Sequence, residues 1–235
     1  MTGEEALRYS RHIKLPAFGT KGQQLLQTAR VLVIGVGGLG SPAALYLAAA
    51  GVGTLALMDG DEVSLSNLQR QLLYYTPDLG KAKTLSASAK LHALNPGVQV
   101  HTISEWLDEH NAGTIISDYD FVIDATDSME AKYLINDTCL SVGKPFSHGA
   151  LLRYQGYTFT CLPGTADLRS LFGPPPAPDQ VLTCSQEGVL GPAAGIIGAI
   201  QAAEVIKYFV GAGQLLTNRL LTLDTLTMTF HYLYC

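Results

Sequence analysis

Residues 31–59, VLVIGVGGLGSPAALYLAAAGVGTLALMD, constrain the fold more than any other stretch, because a β-branched run, a glycine turn, a helix, a second strand and an acid follow one another there. Val31 to Ile34 suits a buried parallel strand, and Gly35, Gly37 and Gly40 then give G-x-G-x-x-G, with Gly38 as a fourth glycine. Ser41 is the expected helix cap, Pro42 belongs in the first turn, Gly51 should end the helix in the left-handed conformation, and Thr54 to Met58 resumes strand character. Asp59 stands about 20 residues beyond the turn, where a carboxylate can accept hydrogen bonds from a ribose, and Asp61 follows it. A glycine turn used only for packing would leave both acids unexplained. Residues 31–58 carry no charge over a length that could span a bilayer, but six glycines and Pro42 do not suit one continuous spanning helix. The pattern predicts a nucleotide site.

At 235 residues, with 47% hydrophobic residues, the chain has the size of one large α/β domain rather than two. Its net charge of -5 offers no basic face to nucleic acid, and the opening MTGEEALRYS has no apolar signal region, so no membrane partner and a cytoplasmic location are expected. Cys139, Cys161, Cys184 and Cys235 show no C-x-x-C spacing and are read as reduced thiols.

Residues 3–28 read as two helical pieces, EEALRYSRHI and TKGQQLLQTA, broken around Pro16 and Gly19; Arg8 and Arg11 lie three apart on the first, the pattern of a solvated face. After Asp59, Asn67 is a candidate helix cap, and Asn67, Arg70 and Gln71 fall at i, i+3 and i+4 on one polar face. Lys81 and Lys83 begin a helix that ends near Asn95, and Val98 to Ile103 alternates as a strand. Phe121 to Asp124 is a short apolar strand running into DATDS, which puts Asp124 and Asp127 at its carboxyl end, the edge where open parallel sheets bind ligands. The helix AKYLINDTCLSVG and the strands PFSHGALL and GYTFTCLP follow, making Cys139 and Cys161 core thiols and His148 a strand-end histidine. Residues 163–191 are rich in Gly, Pro and polar residues and read as a long, mobile crossover loop containing Cys184. Beyond it, GPAAGIIGAIQAAEVIKYFVG is a largely buried helix with Gln201, Glu204 and Lys207 on one polar stripe, and RLLTLDTLTMTFHYLYC is a final strand or hairpin at a sheet edge. The expected architecture is α/β: a Rossmann-like, mostly parallel sheet flanked by helices, with C-terminal antiparallel strands.

A hydride-transfer enzyme needs the glycine turn and Asp59 but has no particular use for Arg70, Lys83 and an acid after the fourth strand. Phosphate chemistry uses all of them: cations bind the polyphosphate and stabilise the leaving group, and a carboxylate such as Asp127 can hold the magnesium that accompanies ATP. No G-x-x-x-x-G-K-[ST] is present, so cleavage between the α and β phosphates is favoured over γ-phosphoryl transfer. A cysteine in a loop would suit a later acyl transfer.

RYSRHIKLPAFGTKGQQLL, VLVIGVGGLGSP, DGDEVSLSNLQRQLLY with its following GKAK, DATDS, and TCSQEGVLGPAAGIIGAIQAAEVIK together resemble the MoeB/ThiF group, bacterial relatives of ubiquitin-activating enzymes, over nearly the whole chain. The resemblance implies a single adenylation domain over 1–235, with N-terminal helices (1–28), a nucleotide-binding core (29–150), the crossover loop (163–191), and a helix and strands on the dimer or carrier side (192–235). It implies ATP- and magnesium-dependent adenylation of the C-terminal Gly-Gly carboxylate of a ubiquitin-like sulfur-carrier protein, a ThiS-like carrier being favoured over a MoaD-like one, with a separate sulfur-donor protein as a further partner. By motif, Gly37 and Gly38 would face the phosphates, Asp59 and Asp61 would belong to the nucleotide site with Asp59 on the ribose, and Asn67, Arg70, Gln71 and Lys83 would contact the polyphosphate. Asp127 would hold magnesium, Arg11 would reach the site of a second subunit in a homodimer, and Cys184 matches the family's loop cysteine. The chain departs from the family at its zinc-binding cysteine pairs: Asp167 and Ser170 stand at the first pair and the second is missing, so no zinc is expected. His12 stands where glutamine is commoner. Two other readings remain, adenylation of a different carboxylate such as a peptide or a modified tRNA base, and a non-catalytic ATP-binding subunit.

Overall fold

The computed structural model describes residues 1–177 and 184–235, with the side chains of all of these except Cys184 and Ser185. Three short helices, α1 (Gly3–Arg8), α2 (Ser10–Ile13) and α3 (Gly19–Thr28), precede the first strand. The expected first piece is thus divided at Tyr9, whose buried ring turns inward between α1 and α2. Then come β1 (Arg30–Ile34), α4 (Gly40–Ala50), β2 (Thr54–Met58), α5 (Lys83–Leu94), β3 (Gln99–Ile103), α6 (Ala112–Ser117), β4 (Phe121–Asp124), α7 (Met129–Ser141), β5 (Phe146–Leu152) and β6 (Gln155–Cys161). The chain finishes with α8 (Leu168–Phe172), α9 (Cys184–Glu187), α10 (Gly191–Val210), β7 (Arg219–Asp224) and β8 (Thr229–Tyr234).

The strands form one 8-stranded sheet in the order β3-β2-β1-β4-β5-β6-β7-β8. β3 through β5 run parallel, and β5 to β8 continue antiparallel, as the sequence predicts. The parallel strands are apolar on both faces because helices cover both. Val31, Val33, Leu55, Leu57, Phe121 and Ile123 face a layer built from α3, α4, α5 and α10, while Leu32, Ile34, Ala56, Met58 and Val122 face α6, α7 and α8. β8, with all six residues exposed, is the outer edge.

Four local expectations change. Ser41 does not cap α4: Leu39 holds the cap position without a side-chain bond, and the Ser41 hydroxyl, already inside the first turn, donates to the Val36 carbonyl at 3.3 Å. No α-helix begins at Asn67, which ends a 3-10 turn, Leu65–Asn67, and accepts from the Ser64 N–H. The segment 163–191 is not loop throughout, since Asp167 caps α8 in a capping box with Ser170 and α9 starts at Cys184. The Gln201–Glu204 part of the α10 stripe points into the sheet: Gln201 donates to the carbonyls of Asp124 and Ser147, and Glu204 accepts from Thr160 and the Leu216 N–H. α10 is long and apolar enough to cross a membrane by composition, but those bonds belong to a helix lying on a sheet. α6 carries a period too short to stand out from sequence.

α10 crosses the start of α4 closely. A Cβ on Gly198 would lie 2.3 Å from the Leu39 carbonyl oxygen and 2.7 Å from Pro42 Cγ, whereas a Cβ on Gly195 meets nothing within 4 Å. Gly198→Ala should therefore cost about 1–3 kcal/mol through overpacking, although alanine is the better helix former. Gly195→Ala should instead stabilise by about 1 kcal/mol. Urea unfolding midpoints of the two variants separate the effects, and equal midpoints would mean that the helices do not meet at Gly198.

Candidate functional site

β1 ends in the glycine turn at the carboxyl edge of the sheet. Gly35 has φ 86°, open to glycine at little cost, and its Cα faces the Ala125 carbonyl oxygen so closely that a Cβ would stand 2.7 Å from it. Gly40 lies against the Gly35 carbonyl. Within α4 the Ser41 N–H already donates to the Gly37 carbonyl at 2.9 Å and Pro42 has none, whereas the N–H groups of Gly37 to Gly40, leading into the helix, have no hydrogen-bond partner among the described residues; with no acidic residue in the first turn, they are free to receive an anion. The next loop is tied to this one, because Asp59 accepts from the Val36 N–H at 2.8 Å and from the Asp61 N–H at 2.9 Å, and Tyr74 donates to the Val36 carbonyl at 2.8 Å.

Lys83, the first residue of α5, is buried and donates to Asp61 at 2.6 Å, with its Nζ 3.8 Å from Asp59. Lys81 is the solvated one of the two lysines, exposed and 3.4 Å from Asp78. Burial pushes the Asp59 carboxyl above its ordinary value, and Lys83 opposes that shift. Gln71 is buried with its amide nitrogen 3.4 Å from the Cβ position of Gly37, and its Oε1 has no partner among the described residues. The Arg70 stem lies 3.6 Å from the Cβ position of Gly38, and its guanidinium donates to the Ser66 carbonyl at 3.0 Å. Although the α-helix expected at Asn67 is absent, the Arg70 and Gln71 N–H groups both bond the Asn67 carbonyl, which preserves the shared face. Gly37, Gly38, Asp59, Asp61, Asn67, Arg70, Gln71 and Lys83 are therefore gathered along one edge.

Asp127 follows β4 at the same edge, exposed and without a partner among the described residues. Arg11 does not join them. Its neighbours anchor to the carboxyl ends of α4 and α5, Arg8 on the Leu94 carbonyl, Tyr9 under the Asn95 amide and Gln23 on the Ala50 carbonyl, which lie at the opposite edge of the sheet. His12 is occupied locally, 3.3 Å from Gln23 and with its ring centroid 4.9 Å from that of Phe18. The role expected of Cys184 rests on a side chain outside the described residues.

A buried polar cluster under β4 and β5 was not legible beforehand. Asp124 is fully buried and accepts from Lys132 at 3.3 and 3.4 Å, from His148 at 2.7 Å, and from the Thr126 N–H and hydroxyl at 3.1 and 2.8 Å. Lys132 also donates to the Gly149 carbonyl at 2.6 Å. Burial alone would raise the Asp124 carboxyl, but Lys132, His148 and the hydrogen bonds hold it well below the usual carboxylate range. Burial, then Lys132, keeps His148 below its ordinary value despite Asp124. The ring is thus neutral near pH 7 and donates from Nδ1, since the carboxylate can only accept. The cluster fixes the DATDS turn that presents Asp127. Its sequence trace is slight: Lys132 follows Asp124 by eight residues on a helix that also carries Glu130, Asn136 and Asp137, so nothing marks it as the buried cation.

The exposed Asp127 carboxylate is an oxygen donor of the kind that would fit magnesium. Zinc does not fit the positions of the family's first cysteine pair. There Asp167 and Ser170 bond each other's backbone at 2.9 and 2.7 Å, Asn136 joins Asp167 at 3.2 Å, and among the described residues no three His, Cys, Asp or Glu side chains gather for a metal.

The ThiF family pattern matches residues 9–235. The adenylyltransferase and sulfurtransferase MOCS3 of Drosophila sechellia is 44% identical over 231 residues, 98% of this chain and 51% of that protein. The SAMP-activating enzyme E1 of Haloferax volcanii is 43% identical over 223 residues, 95% of this chain and 83% of that protein. The chain spans about half the length of the MOCS3 relatives it matches. The crystal structure of E. coli MccB superposes with a TM-score of 0.86 at 21% identity, over 100% of this chain and 71% of that one, and shares the fold.

Acid sensitivity follows from the buried cluster. His148 stays neutral in the fold and is free to protonate when unfolded, so the unfolded chain binds the extra proton below the ordinary value of 6.5 and stability falls as pH drops through that region. One such group contributes at most about 1.4 kcal/mol per pH unit. Asp124 works lower: the stability from its depressed carboxyl is present above the ordinary value of 3.8 and lost as pH falls below it. Urea midpoints of His148→Asn should lose the slope between about pH 7 and 5 while keeping the loss below about pH 4. An unchanged upper slope would contradict a neutral buried imidazole.

Proposed function

Because the chain belongs to the ThiF family, matched over residues 9–235, we propose that it is an adenylyltransferase that uses ATP to activate the C-terminal Gly-Gly carboxylate of a ubiquitin-like sulfur-carrier protein. One observation carries the reading. The glycine-turn N–H groups ahead of α4, Arg70, Gln71, buried Lys83 and Asp59 lie along one sheet edge in a chain without a P-loop lysine. The names of the relatives, an adenylyltransferase and sulfurtransferase and a SAMP-activating enzyme, support the same chemistry.

In this mechanism Asp59 accepts from the ribose hydroxyls, and the glycine-turn N–H groups with Lys83 and Gln71 hold the polyphosphate. A carboxylate oxygen of the carrier attacks the α phosphorus and pyrophosphate leaves. Arg70 stabilises the charge that builds up on the phosphates. Asp127 would hold the magnesium, whose charge offsets that of the polyphosphate when bound. The product is an acyl-adenylate, from which a sulfur nucleophile displaces AMP. A ThiS-like carrier is the first substrate to test and a MoaD-like one the second. Arg11, remote from its own crevice, acts on the site of a second copy in a homodimer.

With ATP, magnesium and a matching carrier, the protein should exchange labelled pyrophosphate into ATP. Arg70→Ala and Asp127→Ala should each slow exchange by about 100-fold or more, the scale of removing a preorganised charge. Mixing inactive Arg11→Ala and Asp127→Ala chains should restore exchange, since one site of the mixed dimer keeps both groups. Full activity of the Arg70 or Asp127 variant would sink the assignment, and absence of recovery in verified mixed dimers would remove Arg11 from it.

The zinc inference is separate: a capping box stands where the family's first thiolate pair would be, which argues against a structural zinc there, so elemental analysis should find no stoichiometric zinc. One zinc per chain would overturn it.

A further inference from the structure

Beyond Asp59, the carboxyl edge carries a feature that the adenylation chemistry does not use. Trp106, on the loop after β3, lays its indole on Gly60: a Cβ there would stand 2.6 Å from Cε2 and Nε1 and 2.7 Å from Cδ2. Gly60 separates Asp59 from Asp61, so the ring rests on the backbone between the ribose carboxylate and the partner of Lys83. Trp106 is 64% exposed, a large apolar side chain facing water beside the backbone of Gly60. Its loop is pinned, since Asn111 donates to the Trp106 carbonyl at 2.9 Å, Asp108 accepts from the His110 and Asn111 N–H groups, and Leu107 packs on the core beneath. A rigidly held aromatic face, open on one side and one residue from the ribose ligand, has the form of a stacking platform.

We propose that Trp106 is the base-stacking residue of the nucleotide site, taking a purine ring against the face of its indole. This rests on the reading of Asp59 as the ribose ligand. The base is joined to the same sugar whose hydroxyls Asp59 would accept from, and β3 lies next to β2 at the edge of the sheet, so the platform stands beside the sugar and away from the phosphates at β1. Stacking rewards ring area and reads no hydrogen-bond pattern, so it favours a purine over a pyrimidine.

The chain contains a single tryptophan, which makes the test direct. ATP with magnesium is titrated against intrinsic tryptophan emission, and binding of labelled ATP is measured in parallel by equilibrium dialysis. Emission should change saturably with the dialysis midpoint. Trp106→Ala should weaken ATP binding by about 10-fold or more and CTP binding much less, while Trp106→Phe should stay close to wild type, the scale being that of one base–aromatic stack. Because Trp106 is exposed, the Ala variant should fold as the unaltered protein does, and its thermal melt checks this. Wild-type ATP affinity in Trp106→Ala, or ATP binding by dialysis without any emission change, would overturn the assignment and leave the adenylation reading standing. No ATP binding by dialysis in the unaltered protein would bring down both.

Discussion

The approach of Gly40 to the Gly35 carbonyl is the constraint on which the rest depends. A side chain at residue 40 would begin 1.9 Å from that oxygen, so β1 and α4 meet only because the position is glycine. That contact sets where α4 starts, and hence the course of the glycine turn whose N–H groups, Gly37 to Gly40, have no partner among the described residues. The start of α4 in turn receives α10, whose Gly198 meets the Leu39 carbonyl, and α10 brings Ala194 and Gly191 against Gly38 and Arg70. A single close packing thus places the glycine turn ahead of α4 and Arg70 next to each other.

Two kinds of buried polarity divide the labour around that turn. On one side buried Asp59 and Lys83 tie loop to loop, with Asp61, itself exposed, as the hydrogen-bond partner of Lys83. On the other, Asp124, Lys132 and His148 are enclosed and turned toward each other, Thr126 and the Gly149 carbonyl. Removing one member of such an enclosed set leaves an uncompensated charge, commonly at about 3–5 kcal/mol. The first group suits ligand contact. The second suits holding a turn still while Asp127, three residues on from Asp124, remains free.

The fold was largely legible in the sequence because its signals are local: apolar runs of strand length, glycines at fixed offsets and an acid at the next strand end. Gly51 ends α4 with φ 81°, and β7 and β8 form the anticipated hairpin. What failed locally failed for tertiary reasons. Ser41 has the composition of a cap, but the glycine turn starts the helix two residues earlier, with Leu39 at the cap, and the Ser41 hydroxyl goes to the Val36 carbonyl. Gln201 and Glu204 read as part of a polar stripe on a largely buried helix, but their partners could not be read: strand carbonyls, Thr160 and the Leu216 N–H, all distant in the chain except the last. In the candidate site, glycines and acids were visible by spacing, whereas Lys132 with His148 and the Trp106–Gly60 contact depend on strands meeting across the sheet, which no single segment encodes.

The central claim is cleavage between the α and β phosphates with the carrier carboxylate as nucleophile. Its most direct test places a heavy-oxygen label in the C-terminal carboxylate of the carrier, supplies ATP, magnesium and sulfide, and reads the nucleotide product by mass spectrometry. Attack on the α phosphorus followed by displacement at the acyl carbon must leave one labelled oxygen in AMP. Formation of ADP, or label appearing in inorganic phosphate with none in AMP, would contradict it.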